Sequence, residues 1–166
     1  MIVLGVDPGT AATGYGVVER DAGGGLRLVE CGVVRPRPGA PLAARLDTIY
    51  EEVTDLLARH RPDAVAVEAV FVHRNARSAL ILGHARGVVL LAAARAGLAV
   101  AEYPPAAIKK AVVGGGAATK AQIQHMVARI LRLRTPPRPS DAADGVAVAL
   151  THAVRSGRVL RRAVVG

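Results

Sequence analysis

One cysteine, Cys31, stands in 166 residues. With no CxxC pair and no Cys/His partner, it excludes a disulfide scaffold and argues against a zinc site. It reads as a small packed residue and suits a reducing compartment. A domain of this length buries roughly 70% of the surface its unfolded chain exposes, so it needs no covalent staple. The N-terminus lacks a basic n-region and a cleavage site. The longest charge-free apolar stretch runs from Gly87 to Ala94, between Arg86 and Arg95, and is too short to cross a bilayer. A soluble, non-exported protein is the expectation. No internal repeat and no second domain are visible: residues 1–154 read as one domain, and 155–166 as a basic, mobile tail.

Lysine is nearly absent as well. The chain carries 22 basic against 13 acidic residues, a formal charge of +9, yet only three of the basic residues are Lys. These three, Lys109, Lys110 and Lys120, fall within one short segment. The charge excess favours an anionic partner, nucleic acid being the commonest. A chain that writes Arg elsewhere keeps Lys where a compact point charge is needed, as at a phosphate. Chance is the competing reading.

Against these absences stands the opening stretch, MIVLGVDPGTAATGYGVV. Ile2 to Val6 is a short β-branched run that reads as a buried strand. It ends in Asp7, and Pro8-Gly9 turns the chain into a second strand from Thr13. A carboxylate at the end of a buried strand must be met by hydrogen bonds or by positive charge. Asp7 therefore either caps its turn or holds a cation.

A glycine turn leads to a third strand, Leu26 to Val34, completing an antiparallel meander. Leu42 to His60 has the spacing of an amphipathic helix. Ala64 to Val67 is again a fully apolar strand ending in a carboxylate, Glu68. The strand–helix–strand crossover makes this strand parallel to the first. The carboxyl ends of adjacent parallel strands are where open α/β sheets place ligands, so Asp7 and Glu68 face each other there. Two such acids repel unless a cation neutralises them, which favours the cation reading.

Asn75 to Gly97 reads as a long helix, apolar nearly all round and so covered on more than one side, either within this chain or by a second subunit. Leu98 to Ala101 forms a fifth strand. A short helix, Ala106 to Val113, carries Lys109 and Lys110. After Gly114-Gly115-Gly116, Thr119 and Gln122 make a capping box for a helix from Lys120 to Leu133. A helix N-terminus with Lys120 on its first turn suits a phosphate, although the P-loop pattern is missing. Ser140 reads as the N-cap of a final helix, Asp141 to Val154. Asp141 and Asp144 lie three apart on one side of it; they either complement the helix dipole or join the other acids. Phe71, three residues after Glu68, belongs either to the core or to a loop above the site, stacked on a base. The fold class is α/β, a five-stranded mixed sheet of order 3-2-1-4-5 with helices on both faces.

Four carboxylates with no Cys or His cluster suit Mg²⁺ or Mn²⁺ rather than zinc. Two ions about 3.5–4 Å apart can activate a water and stabilise a leaving oxygen. The motifs GVDPGTAATGYGVV, VEAVFVHRNARSALILGHARG, EYPPAAIKKAVVGGGAATKAQIQHMV and DAADGVAVALTH resemble those of the RuvC Holliday-junction resolvases, of the ribonuclease H-like fold. The resemblance runs from Ile2 to about His152. It implies a metal-dependent endodeoxyribonuclease that resolves four-way junctions by paired symmetric nicks in recombination and repair. Asp7, Glu68, Asp141 and Asp144 would hold two Mg²⁺ or Mn²⁺ ions, with Lys120 catalytic beside them. Phe71 would stack on an unpaired base, and His73, Arg74, Arg77, Lys109 and Lys110 would contact DNA. A homodimer through the Asn75–Gly97 helix, RuvA and RuvB as partners, and a cytoplasmic, nucleoid-associated location are implied too. Ala11 and Ala69 depart from some members, which have a basic and a polar residue there.

An RNA–DNA hybrid nuclease of the same fold is the second reading, which a substrate panel would separate. A non-cleaving junction-binding module has no need of four acids. An actin-like nucleotide-binding domain needs two such units, and the chain is too short.

Overall fold

The computed structural model describes residues 1–69 and 76–164, with side chains described for 1–69 and 76–156. Phe71, His73 and Arg74 lie outside the described residues.

The five strands are β1 (Ile2–Asp7), β2 (Thr13–Arg20), β3 (Leu26–Val34), β4 (Ala64–Glu68) and β5 (Val100–Tyr103). They form one sheet of order β3-β2-β1-β4-β5, as the crossover argument requires. β1–β2 and β2–β3 are antiparallel, while β1–β4 and β4–β5 are parallel. Helix α1 (Leu42–His60) and helix α2 (Ala76–Arg95) cover one face. Helices α3 (Pro105–Val113), α4 (Lys120–Ile130) and α5 (Ser140–Val164) cover the other. Strand alternation sorts the cores: Leu4 and Val6 point to α1 and α2, Val3 and Ala66 to α5. Asp7, two positions on from Gly5, shares the α5 face, and so does Glu68.

What brings α5 down onto β1 and β2 is the lack of side chains between them. A Cβ on Gly16 would lie 2.6 Å from the Val146 Cα. One on Gly14 would run into the Asp141 carbonyl, one on Gly5 into the Ala149 backbone, and one on Gly145 into the backbone of Tyr15. Helix backbone therefore lies directly on strand backbone. The first turn of α5, with Asp141 and Asp144, is thereby fixed beside the end of β1.

Several boundaries differ from those the pattern predicts. β5 begins at Val100 rather than Leu98 because Leu98 is still tied to the end of α2, donating its N–H to the Ala93 carbonyl at 3.0 Å. α4 stops at Ile130, three residues short of Leu133, because Arg132 takes a left-handed φ of 54°. Ser140 is the first residue of α5 rather than its cap. α5 continues to Val164, ten residues beyond Val154, so the basic tail prolongs the helix. The capping box at Thr119 and Gln122 is present as read.

Among the described residues α2 is covered on one face and open on the other. Ala85, Val89, Ala92 and Ala93 are buried, while Leu80 is 67% and Leu91 52% exposed. At 20 residues and a mean hydropathy of 1.3, it also meets the length and composition of a membrane span, which the short charge-free run did not foresee. Its buried alanine face and the Arg86–Glu102 ion pair to β5 account for it as a packed helix of this sheet.

Gly16→Ala and Gly145→Ala should each destabilise the fold by about 3 kcal/mol, the upper end for overpacking, because rigid backbone cannot give way. Gly115→Ala, with nothing within 4 Å of its added carbon, should not destabilise it. Denaturant unfolding of the three variants measures the difference.

Candidate active site

The turn after β1 does not use Asp7 as its cap. Thr13, fully buried, closes it by donating its hydroxyl to the Gly9 carbonyl at 2.8 Å and accepting the Gly9 N–H at 3.2 Å. Arg45 braces the same turn from α1, its Nε donating to the Thr10 carbonyl at 2.8 Å. Asp7 is left facing the space beneath α5. Because Val6 pairs with Val67, the next residues, Asp7 and Glu68, stand side by side at the ends of parallel strands.

A cavity of about 310 Å³ opens there, lined by Asp7, Glu68 and Asp144, by Lys109 and Lys120, and by the apolar Pro105, Ile108, Ile123 and Ala147. Lys120 reaches across from the first turn of α4, Nζ lying 2.7 Å from Asp144 Oδ2. This hydrogen bond raises the lysine's pKa further, so it stays charged. Asp141 stands at the rim, 37% exposed, its Oδ2 3.4 Å from Arg35 Nη2.

The electrostatics are those of a site short of positive charge. Burial first, and Asp144 second, push the Asp7 carboxyl up to about 6, against the pull of Lys120. Burial, then Asp7 and Asp144, push Glu68 up to about 7, opposed by Lys109 and Lys120. Asp144 is raised by burial and held back by its Lys120 bond. Among the described residues no three His, Cys, Asp or Glu side chains form a preformed metal cluster. The donors still fit a hard divalent cation: all are carboxylate oxygens, and the carboxyls of Asp7, Glu68 and Asp144 are raised in pKa by burial first and by neighbouring carboxylates second.

The structure thus brings together Asp7, Glu68, Asp144, Lys109 and Lys120, and sets Asp141 at the edge. Lys110 is exposed on α3 and does not line the cavity, and Arg77 is exposed on the first turn of α2. His60 and His152 have structural partners, Glu30 at 2.7 Å and Tyr103 at 2.9 Å. Sequence reasoning missed Arg35. Its signal was topological: Val34 pairs with Thr13, so the residue after β3 must emerge at the same sheet edge as Asp7.

Raised carboxyls favour the native state below their unfolded pKa values and lose that contribution as the pH rises through the folded ones. Metal-free Asp7→Asn should therefore be more stable than the wild type at pH 8, by on the order of 2 kcal/mol. The gap should vanish toward the unfolded value of 3.8. Saturating divalent cation at pH 8 should close it by stabilising the wild type. Melting curves with and without the cation test this.

The family model described as crossover junction endodeoxyribonuclease RuvC matches residues 3–152. A protein of that description from Pelotomaculum thermopropionicum is 53% identical over 153 residues, 92% of this chain and 93% of the relative. The Thermus thermophilus RuvC structure superposes with a TM-score of 0.86 at 43% identity, covering 95% of this chain and 97% of that one. A second structure, T. thermophilus RuvC in complex with a Holliday junction substrate, gives a TM-score of 0.86 at 39% identity, over 95% and 96% of the two chains. With its ribonuclease H-like sheet and its acids gathered where β1 and β4 end, this chain belongs to the RuvC family of crossover junction endodeoxyribonucleases.

Proposed function

We propose that this protein resolves Holliday junctions by metal-dependent phosphodiester hydrolysis, cutting two symmetric strands and leaving ligatable ends. The observation that carries this reading is the set of three partly buried carboxylates and two lysines on one cavity, in a chain of this family. A relative of the same fold was solved with a Holliday junction substrate, which supports the four-way junction as the ligand.

Asp7, Glu68, Asp141 and Asp144 would hold two Mg²⁺ or Mn²⁺ ions. When bound, such ions supply Lewis-acid stabilisation and a nucleophilic water at neutral pH. Lys120, kept protonated by Asp144, places positive charge where the phosphorane-like transition state gains negative charge. Lys109, which lines the same cavity, orients the phosphate. Pro105, Ile108 and Ile123 form an apolar wall that limits water around the reacting group. Lys110 and Arg77 contact DNA outside the cavity, and the family resemblance supports Phe71 as a base-stacking residue and His73 and Arg74 as DNA contacts. Residues 1–154 act as one nuclease unit.

Two symmetric cuts call for two sites related by a two-fold axis. The exposed face of α2, with Leu80, Leu91, Gly83 and Gly87, lines an apolar groove of about 780 Å³. It supports a homodimer built on that helix. The family match supports RuvA and RuvB as partners and a cytoplasmic, nucleoid-associated location as part of this reading.

Asp7→Asn should abolish cleavage of a labelled synthetic junction, by about 10³-fold or more for a lost metal ligand, and keep junction binding. Loss of binding instead would make Asp7 structural. Lys120→Ala should slow cleavage about 10²-fold with unchanged affinity; altered affinity at wild-type rate would remove it from the scissile phosphate. Leu80→Arg should convert a dimer to monomers in sedimentation velocity, and a wild type that sediments as a monomer would refute the seam.

A further inference from the structure

Four acids gather at the end of β1, and two of them are held by side-chain cations. Lys120 holds Asp144 at 2.7 Å. Arg35 holds Asp141, but by a single 3.4 Å contact from one terminal nitrogen. Arg35 is 56% exposed and Asp141 37%, so the pair is weak and easily exchanged for a stronger partner. Arg35 leaves β3 where Val34 pairs with Thr13, so it flanks the Asp7 turn from the β2–β3 side. Lys109 and Lys120 stand on the opposite flank, on helices that follow β5. The Arg35 flank is itself basic. Arg37, two residues on, and Arg138, three before Asp141, are both exposed.

We propose that Arg35 is a displaceable counter-cation that becomes a DNA-positioning residue. Without a divalent cation it neutralises Asp141. When Asp141 turns to a cation, the guanidinium is released at the rim and takes a phosphate flanking the cleaved one. Its planar fork suits two phosphate oxygens, which a single carboxylate oxygen at 3.4 Å does not satisfy. Cation binding and strand positioning are thus coupled through one arginine: it opposes the cation in the free protein and holds DNA once the cation is in place. The inference rests on the metal-dependent resolvase reading above.

The test uses the full chain as wild type, Arg35→Ala and Arg35→Lys. Without DNA, Mn²⁺ binding is followed by the electron paramagnetic resonance signal of the free ion. Removing a cation beside four acids should tighten Mn²⁺ binding of Arg35→Ala about two- to fivefold. Junction binding is then titrated against salt, with Ca²⁺ or with chelator, and the strands are checked for integrity. With Ca²⁺, Arg35→Ala should lower the slope of log affinity against log salt by about 0.9, the value of one phosphate contact. With chelator its slope should match the wild type, and Arg35→Lys should keep the wild-type slope in both. Wild-type Mn²⁺ affinity and slope in Arg35→Ala would overturn the proposal. So would a tightened Mn²⁺ affinity with no change of slope, which would leave only a surface ion pair. A wild type that binds neither Mn²⁺ nor junctions would instead bring down the resolvase reading itself.

Discussion

The site depends on a backbone-to-backbone contact. α5 crosses β1 and β2 at a distance that admits no side chain at Gly5, Gly14, Gly16 or Gly145. This packing has no adjustable layer, so the helix cannot slide or tilt without backbone collision. Asp141 and Asp144 sit on the turn that this contact fixes. Had β1 and β2 carried side chains at Gly5, Gly14 and Gly16, the helix would ride higher and its acids would not reach the strand ends. Small residues continue the pattern along α5, where Ala142, Ala143, Ala147, Ala149 and Ala153 are all essentially inaccessible.

Around that contact the fold concentrates negative charge and supplies too little positive charge to balance it. Asp7 and Glu68 arrive on adjacent parallel strands with no choice of position, since the ladder sets their separation. Burial and mutual repulsion hold both above their ordinary pKa values. Lys120 and Arg35 neutralise only the two acids of α5. A basic protein with an undercompensated acidic pocket is therefore selective in two senses: its surface attracts a polyanion, while its cavity attracts a cation.

The other face of the sheet obeys a different economy. α1 and α2 pack through ordinary side-chain layers, and α2 keeps a second apolar stripe that none of the described residues covers. The stripe lies on the face of the sheet away from the acids, so a partner helix there would leave the acidic cavity open.

The strands and their order were legible in the sequence because each apolar run is short, β-branched and bounded by turn residues, and because one crossover forces one parallel pairing. The side-by-side placement of Asp7 and Glu68 follows from that alone. Where the chain leaves an element was less legible: no local pattern marks the left-handed Arg132 that ends α4 or the continuation of α5 past Val154. Whether Asp7 caps its turn was undecidable from its own neighbours, since Asp, Thr and Gly all serve turns. The tertiary structure decided it, by burying Thr13 against Gly9 and leaving Asp7 to face the cavity. Arg35 shows the same limit. Its residue type is common throughout this chain, and only the pairing of β3 with β2 brings it to Asp141, across a sequence separation that no local pattern spans.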